Sequence, residues 1–161
     1  MSKWNCVHET PPRAIAAMLC GHLAAANTGC ADQMQIPPSE SVSNCTVTDG
    51  DTLRCGEERI RLLAIDAPEK PGQCRAGRTC APGDPFASER SLRVAAKPTM
   101  TIRRVGADRF GRTLALMEAE GKDLSCHQLE NAAAIYNPKW DTGGYVFALC
   151  GEAAARRSLT R

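Results

Sequence analysis

Aromatic side chains are scarce: two Trp, two Tyr and three Phe in 161 residues, or 4%. At 43% hydrophobic the chain can still bury one core, and that core must be mainly aliphatic. Charge imbalance is small as well. The formal net charge is +2, and residues 1–36 are neutral, with Lys3 and Arg13 set against Glu9 and Asp32. A field able to hold a polyanion therefore has to be local, made by clustered arginines. The three histidines (His8, His22, His127) are scattered and no Cys-x-x-Cys pair occurs, which argues against a zinc site. No apolar run is long enough for a convincing membrane span. Internal repeats and low-complexity segments are absent, and the length suits one domain with a tail.

Cysteine is abundant. Nine in a chain of this size point to an oxidising compartment. Cys45 and Cys55 flank a hairpin and can face each other across it; Cys74 and Cys80 bracket a short loop. Cys126 and Cys150 remain, on two C-terminal helical stretches. Six cysteines allow fifteen connectivities, so these three local bridges are an expectation from placement. Cys6, Cys20 and Cys30 fall outside the set. The apolar run from Ala14 to Ala26 has signal-peptide length and ends in Ala24-Ala25-Ala26, a small-residue cleavage pattern. Glu9, two prolines and His22 fit that pattern poorly, and a loosely ordered tail is the other reading. Asn27-Thr28-Gly29-Cys30 resembles a lipoprotein site but lacks its leucine. The expected location is secreted or periplasmic.

The chain is organised around Asp49-Gly50-Asp51-Thr52 and Arg59 to Glu69. Cys45-Thr46-Val47-Thr48 is rich in β-branched residues, Asp49-Gly50 is a strong tight-turn dipeptide, and Thr52 to Cys55 can return as the second strand. A third strand runs from Arg59 to Ile65, with Ile60, Leu62 and Ala64 on one face and Arg61 on the other. Pro68 stops it just after Asp66. Neighbouring strand ends can thus bring Asp51 and Asp66 to one hard cation such as Ca²⁺. Glu69 lies just beyond, where a carboxylate can hold or deprotonate water. Each residue alone is ordinary, since turns favour Asp for their own reasons.

Residues 1–42 read as the signal-like or flexible segment with a proline-containing linker, and 43–161 as the domain. Lys70 to Asp84 is a loop rich in Gly and Pro, carrying Lys70, Arg75 and Arg78. Asp84-Pro85 opens a helix to about Ala96, ended by Pro98. Strands are expected at 100–103 and 112–118, and helices at 123–133 and 145–157. Periodicity alone gives an α+β fold.

Asp108-Arg109-Phe110-Gly111-Arg112 is a turn opening into the fifth strand, and it presents a second arginine. Together with Val47 to Thr52 and Arg61 to Glu69, in that order and spacing, it makes the chain resemble the staphylococcal nuclease (thermonuclease) family over roughly residues 43 to 157. The resemblance implies a five-stranded OB-fold β-barrel with three helices. It implies Ca²⁺ held by Asp51, Asp66 and the main-chain carbonyl of Ala67, where many members have threonine. It gives Glu69 as general base or water-positioning group, and Arg61 and Arg112 as the phosphate-gripping arginines. Ile135-Tyr136-Asn137-Pro138 resembles the segment carrying two pocket tyrosines; Tyr136 matches one and Ala134 stands at the other. Tyr136 and Leu114 are the candidate nucleotide-binding residues, each with a structural alternative: a barrel-closing aromatic and a core strand residue. Trp140 has no family role to carry over.

Two functions compete. One is a monomeric Ca²⁺-dependent nuclease that cuts DNA and RNA with little sequence preference, favouring single strands or locally open duplex. The other is a catalytically inactive OB-fold module that binds nucleic acid without cutting. Inactive copies usually lose an acid or an arginine, whereas Asp51, Arg61, Asp66, Glu69 and Arg112 are all present here.

Overall fold

Two runs of β-branched and aliphatic residues separated by Asp49-Gly50 form the expected hairpin, and the remaining sheet is built outward from it. The computed structural model describes residues 36–158. The candidate export segment, its cleavage pattern and Cys6, Cys20 and Cys30 lie outside the described residues. The strands are β1 (Glu40–Ser43), β2 (Cys45–Asp49), β3 (Thr52–Cys55), β4 (Glu58–Leu62), β5 (Ile65–Asp66), β6 (Thr99–Ala107), β7 (Thr113–Ala119), β8 (Lys122–Asp123) and β9 (Ile135–Tyr136). Three helices accompany them: α1 (Pro85–Ala95), α2 (Leu124–Glu130) and α3 (Tyr145–Arg157). The fold is mixed α+β, with one curled, half-barrel sheet in the order β1-β6-β7-β4-β3-β2 and β8 on β7. All pairings in it are antiparallel except β4 with β7.

Strands fall in each of the five expected spans, among nine in the described residues, and the differences from expectation have local causes. Residues 40–43, read as linker, form β1 against β6, so the sheet begins ahead of Ser43. Pro37 and Pro38 precede that strand and do not interrupt it, while Val42 packs against the core. The third expected strand breaks at Leu63-Ala64. Ala64 takes φ 61°, a left-handed conformation that costs an L-residue roughly 1–2 kcal/mol. Neighbours hold the break: Leu63 N–H donates to Ala115 O (3.0 Å) and Asn137 N–H to Ala64 O (2.8 Å). The expected two-faced alternation is therefore lost, and every residue from Ile60 to Ala67 is buried. The freed end, β5, pairs with β9.

The core is aliphatic, as the composition requires. Leu53, Ile60, Leu62, Ile65, Leu92, Ile102, Met117, Leu124, Leu129 and Val146 are almost wholly shielded between the concave sheet face and the helices. Asp84 caps α1 by accepting from Phe86 N–H (2.8 Å), and Asp123 caps α2 by accepting from Cys126 N–H (2.9 Å). The second helix stops at Glu130, short of the expected Ala133, where Ala132 turns left-handed at φ 55°. All three expected disulfides are present: Cys45–Cys55, Cys74–Cys80 and Cys126–Cys150. Cys45 and Cys55 stand directly opposite in the hairpin register. Cys150 marks a break within α3.

Two contacts seat the hairpin turn. A side chain at Gly50 would place Cβ 1.9 Å from Ser88 Oγ and 2.8 Å from Ala67 Cβ, so only glycine fits there. Gln128, fully buried, donates from Nε2 to Gly50 O (2.7 Å) and Ser88 O (3.0 Å), tying α2 and α1 to the turn.

The start of α3 is held in a similar way. Its first residues have no side-chain cap at Gly144, and Asp141 takes that part. Asp141 accepts from Val146 N–H (3.1 Å), Phe147 N–H (2.9 Å) and the Tyr136 hydroxyl (2.8 Å). Burial and the adjacent Asp141 carboxylate push the Tyr136 phenol up to about 12. Tyr136→Phe removes one of three donors and should cost about 1 kcal/mol of stability. Asp141→Ala strands all three and should cost more. Urea unfolding of the oxidised protein measures both, and a neutral Tyr136→Phe would show that this bond does not hold α3.

Candidate active site

The hairpin and the broken third strand bring Asp51, Arg61 and Asp66 together. Asp51 and Asp66 are each 5% exposed, and burying two carboxylates demands partners. Arg61 supplies them: its Nη2 lies 2.8 Å from Asp51 Oδ2 and 2.9 Å from Asp66 Oδ1. Asp51 Oδ1 also accepts from Thr52 Oγ1 (2.8 Å), and its Oδ2 from Ala67 N–H (3.1 Å). Arg61 Nη2 donates further to Ile65 O at 3.3 Å. One guanidinium nitrogen therefore marks the point where two carboxylates and two strand ends meet.

A second guanidinium arrives from the loop after β5. Arg78 Nη2 contacts Asp66 at 2.6 Å (Oδ1) and 2.8 Å (Oδ2), and its Nη1 contacts Glu69 Oε1 at 2.9 Å. Burial works against the charge on Arg78, and the bonds and charges of Asp66 and Glu69 outweigh it, raising its affinity for the proton. The loop's other cations are engaged too: Lys70 pairs with Glu89 at 2.7 Å, and the Arg75 guanidinium lies 4.9 Å from the Phe110 ring centre. Burial and the neighbouring Asp51 charge push Asp49 up to about 6.

The network opens onto a cleft of about 880 Å³. Its walls carry Arg59, Arg61, Arg75, Arg78, Arg109 and Arg112 with Lys139, against only the acids Glu69 and Asp108. Seven cations against two acids give the lining an excess of five positive charges, although the net charge of the whole chain is only +2. Arg112 is held by Asp108, whose Oδ2 lies 2.7 Å from Nη2 and accepts from Nε at 2.8 Å. Asp108 Oδ1 accepts from the N–H groups of Phe110 (2.8 Å) and Arg112 (3.0 Å), so the same carboxylate shapes the turn and aims the arginine. Gly111 completes that turn at φ 71°. Burial opposes ionisation of Asp108, but these donors outweigh it and hold its carboxyl below the usual range.

The expected residues divide into three groups. Asp51, Arg61, Asp66 and Glu69 share one network, with Ala67 contributing its N–H. Arg112 and Leu114 line the same cleft, and Leu114 stands opposite Arg61 in the β4–β7 register. Tyr136 is not among the lining residues; it is 6% exposed and bonded to Asp141. Two aromatics without an assigned part do line the cleft, Trp140 at 39% exposed and Phe110 at 47%. In a chain with so few rings, an aromatic inside the polar run Asn137-Pro138-Lys139-Trp140-Asp141-Thr142 was the available signal.

Among the described residues no three His, Cys, Asp or Glu side chains gather as a metal site. What does converge is a pair of carboxylate oxygens on one point, with Glu69 one guanidinium away. That donor chemistry suits a hard, oxygen-seeking divalent cation, and Arg61 and Arg78 meet the same need for positive charge.

No protein-family model matches the chain. It is similar to the succinoglycan biosynthesis protein ExoI of Rhizobium meliloti (strain 1021), at 28% identity over 139 residues, or 84% of this chain and 69% of that protein.

Proposed function

We propose that this chain is a calcium-dependent nuclease of the staphylococcal nuclease type, an OB-fold barrel that hydrolyses phosphodiester bonds of DNA and RNA with little sequence specificity. One observation carries the reading: two buried aspartates are bridged by Arg61, which itself lines a cleft walled by arginines. A guanidinium matches a phosphate with two parallel donors, and a ladder of them matches a chain with one phosphate per residue. The name of ExoI assigns that protein to succinoglycan biosynthesis, and the arginine-lined walls are what favour a phosphodiester here. An inactive binding module would retain the basic walls without needing both buried aspartates. The three disulfides favour a secreted or periplasmic protein.

Asp51, Asp66 and the main-chain carbonyl of Ala67 are the groups to hold Ca²⁺, which would draw charge from a phosphate oxygen. Arg61 and Arg112 bind the phosphate and meet the negative charge that grows on it during attack. Glu69 takes the proton of the attacking water. The water oxygen bonds to phosphorus, the bond to the sugar oxygen breaks, and that oxygen takes up a proton from solvent. Arg78 holds Glu69 in the structure, so it must release the carboxylate for this step, and an incoming phosphate is the competing partner.

Digestion of plasmid and single-stranded DNA should require Ca²⁺ and stop on addition of chelator. Undiminished cutting in excess chelator rules the mechanism out, while binding without cutting at any calcium level favours the inactive module. Arg112→Lys keeps the charge and loses the fork. Its kcat should fall roughly 10²-fold or more, with a much smaller change in KM, because the interaction is made mainly in the transition state. Unfolding should move by no more than about 1 kcal/mol, the scale of a partly exposed ion pair. Cleavage by Arg112→Lys at the parent rate would make Arg112 a structural partner of Asp108.

A further inference from the structure

Both arginines assigned to the phosphate have an exposed aromatic ring as neighbour. The Arg61 guanidinium lies 5.3 Å from the centre of the Trp140 ring. The Arg112 guanidinium lies 5.6 Å from the centre of the Phe110 ring, which Arg109 and Arg75 approach at 4.8 and 4.9 Å. A cation over a ring is an attraction in its own right, and in a packed core such rings would be covered. Here they are not: Trp140 and Phe110 are 39% and 47% exposed, among the few large apolar side chains left open, and both face the cleft. Tyr136, the expected base-binding aromatic, is buried and committed to Asp141.

We propose that Trp140 and Phe110 are base-stacking platforms, and that they make the cleft selective for unpaired nucleotides. The proposal rests on the nuclease reading above and adds the residues that read substrate form. A phosphate gripped by Arg61 would have a neighbouring base within reach of the Trp140 face, and one gripped by Arg112 would meet Phe110. Stacking on an aromatic ring needs an exposed base face, which a duplex hides and a single strand offers. Every base has such a face, so two platforms favour single strands without favouring a sequence. Recognition therefore has two separable parts, charge for the backbone and rings for the bases.

The test separates those parts with the full oxidised chain in chelator, where the proposed nuclease would bind without cutting. Two fluorescent probes of equal length and charge are used, a thymidine oligonucleotide and its abasic deoxyribose-phosphate counterpart. The parent should bind the thymidine probe more tightly. Trp140→Ala should weaken that binding roughly 10-fold and leave the abasic probe unchanged; Phe110→Ala should act in the same direction. Trp140→Phe should recover most of the loss, and thermal unfolding should place all three variants with the parent. With calcium restored, Trp140→Ala should raise KM on single strands more than on duplex, with little change in kcat. Equal loss on both probes, or no loss, overturns the stacking platforms. If the parent binds both probes equally, stacking falls and the phosphate-binding cleft stands. If it binds neither, both readings fall together.

Discussion

The structure turns on one buried guanidinium. Arg61 is 9% exposed, and it bridges two carboxylates that are buried as deeply, with Arg78 as the second cation on Asp66. Removing either side of this arrangement leaves an uncompensated buried charge, which costs several kcal/mol. The surrounding geometry serves to bring the three groups to one point. Gly50 lets the Asp51 turn press against Ser88 and Ala67. The left-handed Ala64 breaks the strand that carries Arg61, so that Ile65 O and Asp66 return toward it. Gln128 fixes the turn from behind. Apolar residues of similar volume would be easier to bury. The retention of charge here is an argument for chemistry over packing, because stability alone does not call for it.

How much of this was legible in the sequence depended on the range of the interaction. The hairpin, the Asp84 and Asp123 caps and the pairing of Cys45 with Cys55 are local, and residue type alone announces them. The meeting of Asp51 with Asp66 followed from two strand ends, and it holds. Long-range and conformational features were hidden. Nothing in Leu63-Ala64 signals a positive φ, because the strain is held by Ala115 and Asn137, far along the chain. Glu40 to Ser43 reads as linker by its polar residues, yet as an edge strand it can leave those side chains to solvent. Tyr136 is withdrawn from the cleft for a similar reason. A phenol with a carboxylate within reach can be buried, and its partner Asp141 was recruited by the start of α3. Arg78 was legible as a loop cation but not as the partner of Asp66 and Glu69, since a loop's course is set by the elements around it.

Composition and electrostatics agree once local placement is considered. A net charge of +2 carries little long-range steering. Clustering is what changes the balance: arginines from β4, from the loop after β5 and from the β6–β7 turn all reach one cleft. Several of them are pre-paired, Arg78 with Asp66 and Glu69, and Arg112 with Asp108. Pairing keeps a dense set of cations from repelling one another, and it holds each planar fork in a defined orientation.

A core with so few aromatic rings has less area to bury per residue than usual, and the disulfides stand where that shortage would be felt most. Cys45–Cys55 closes the hairpin that presents Asp51. Cys74–Cys80 closes the loop that presents Arg78, a segment with little secondary structure of its own. Cys126–Cys150 joins α2, which carries Gln128, to α3, whose start is fixed by Asp141 beside Trp140. Each bridge thus limits the motion of one support of the cleft. In the chain-entropy view a bridge acts on the unfolded state and is worth a few kcal/mol. Their placement adds a second effect. By narrowing the excursions of the parts that hold charge, they keep the guanidiniums and carboxylates preorganised where burial alone would be too weak to do so.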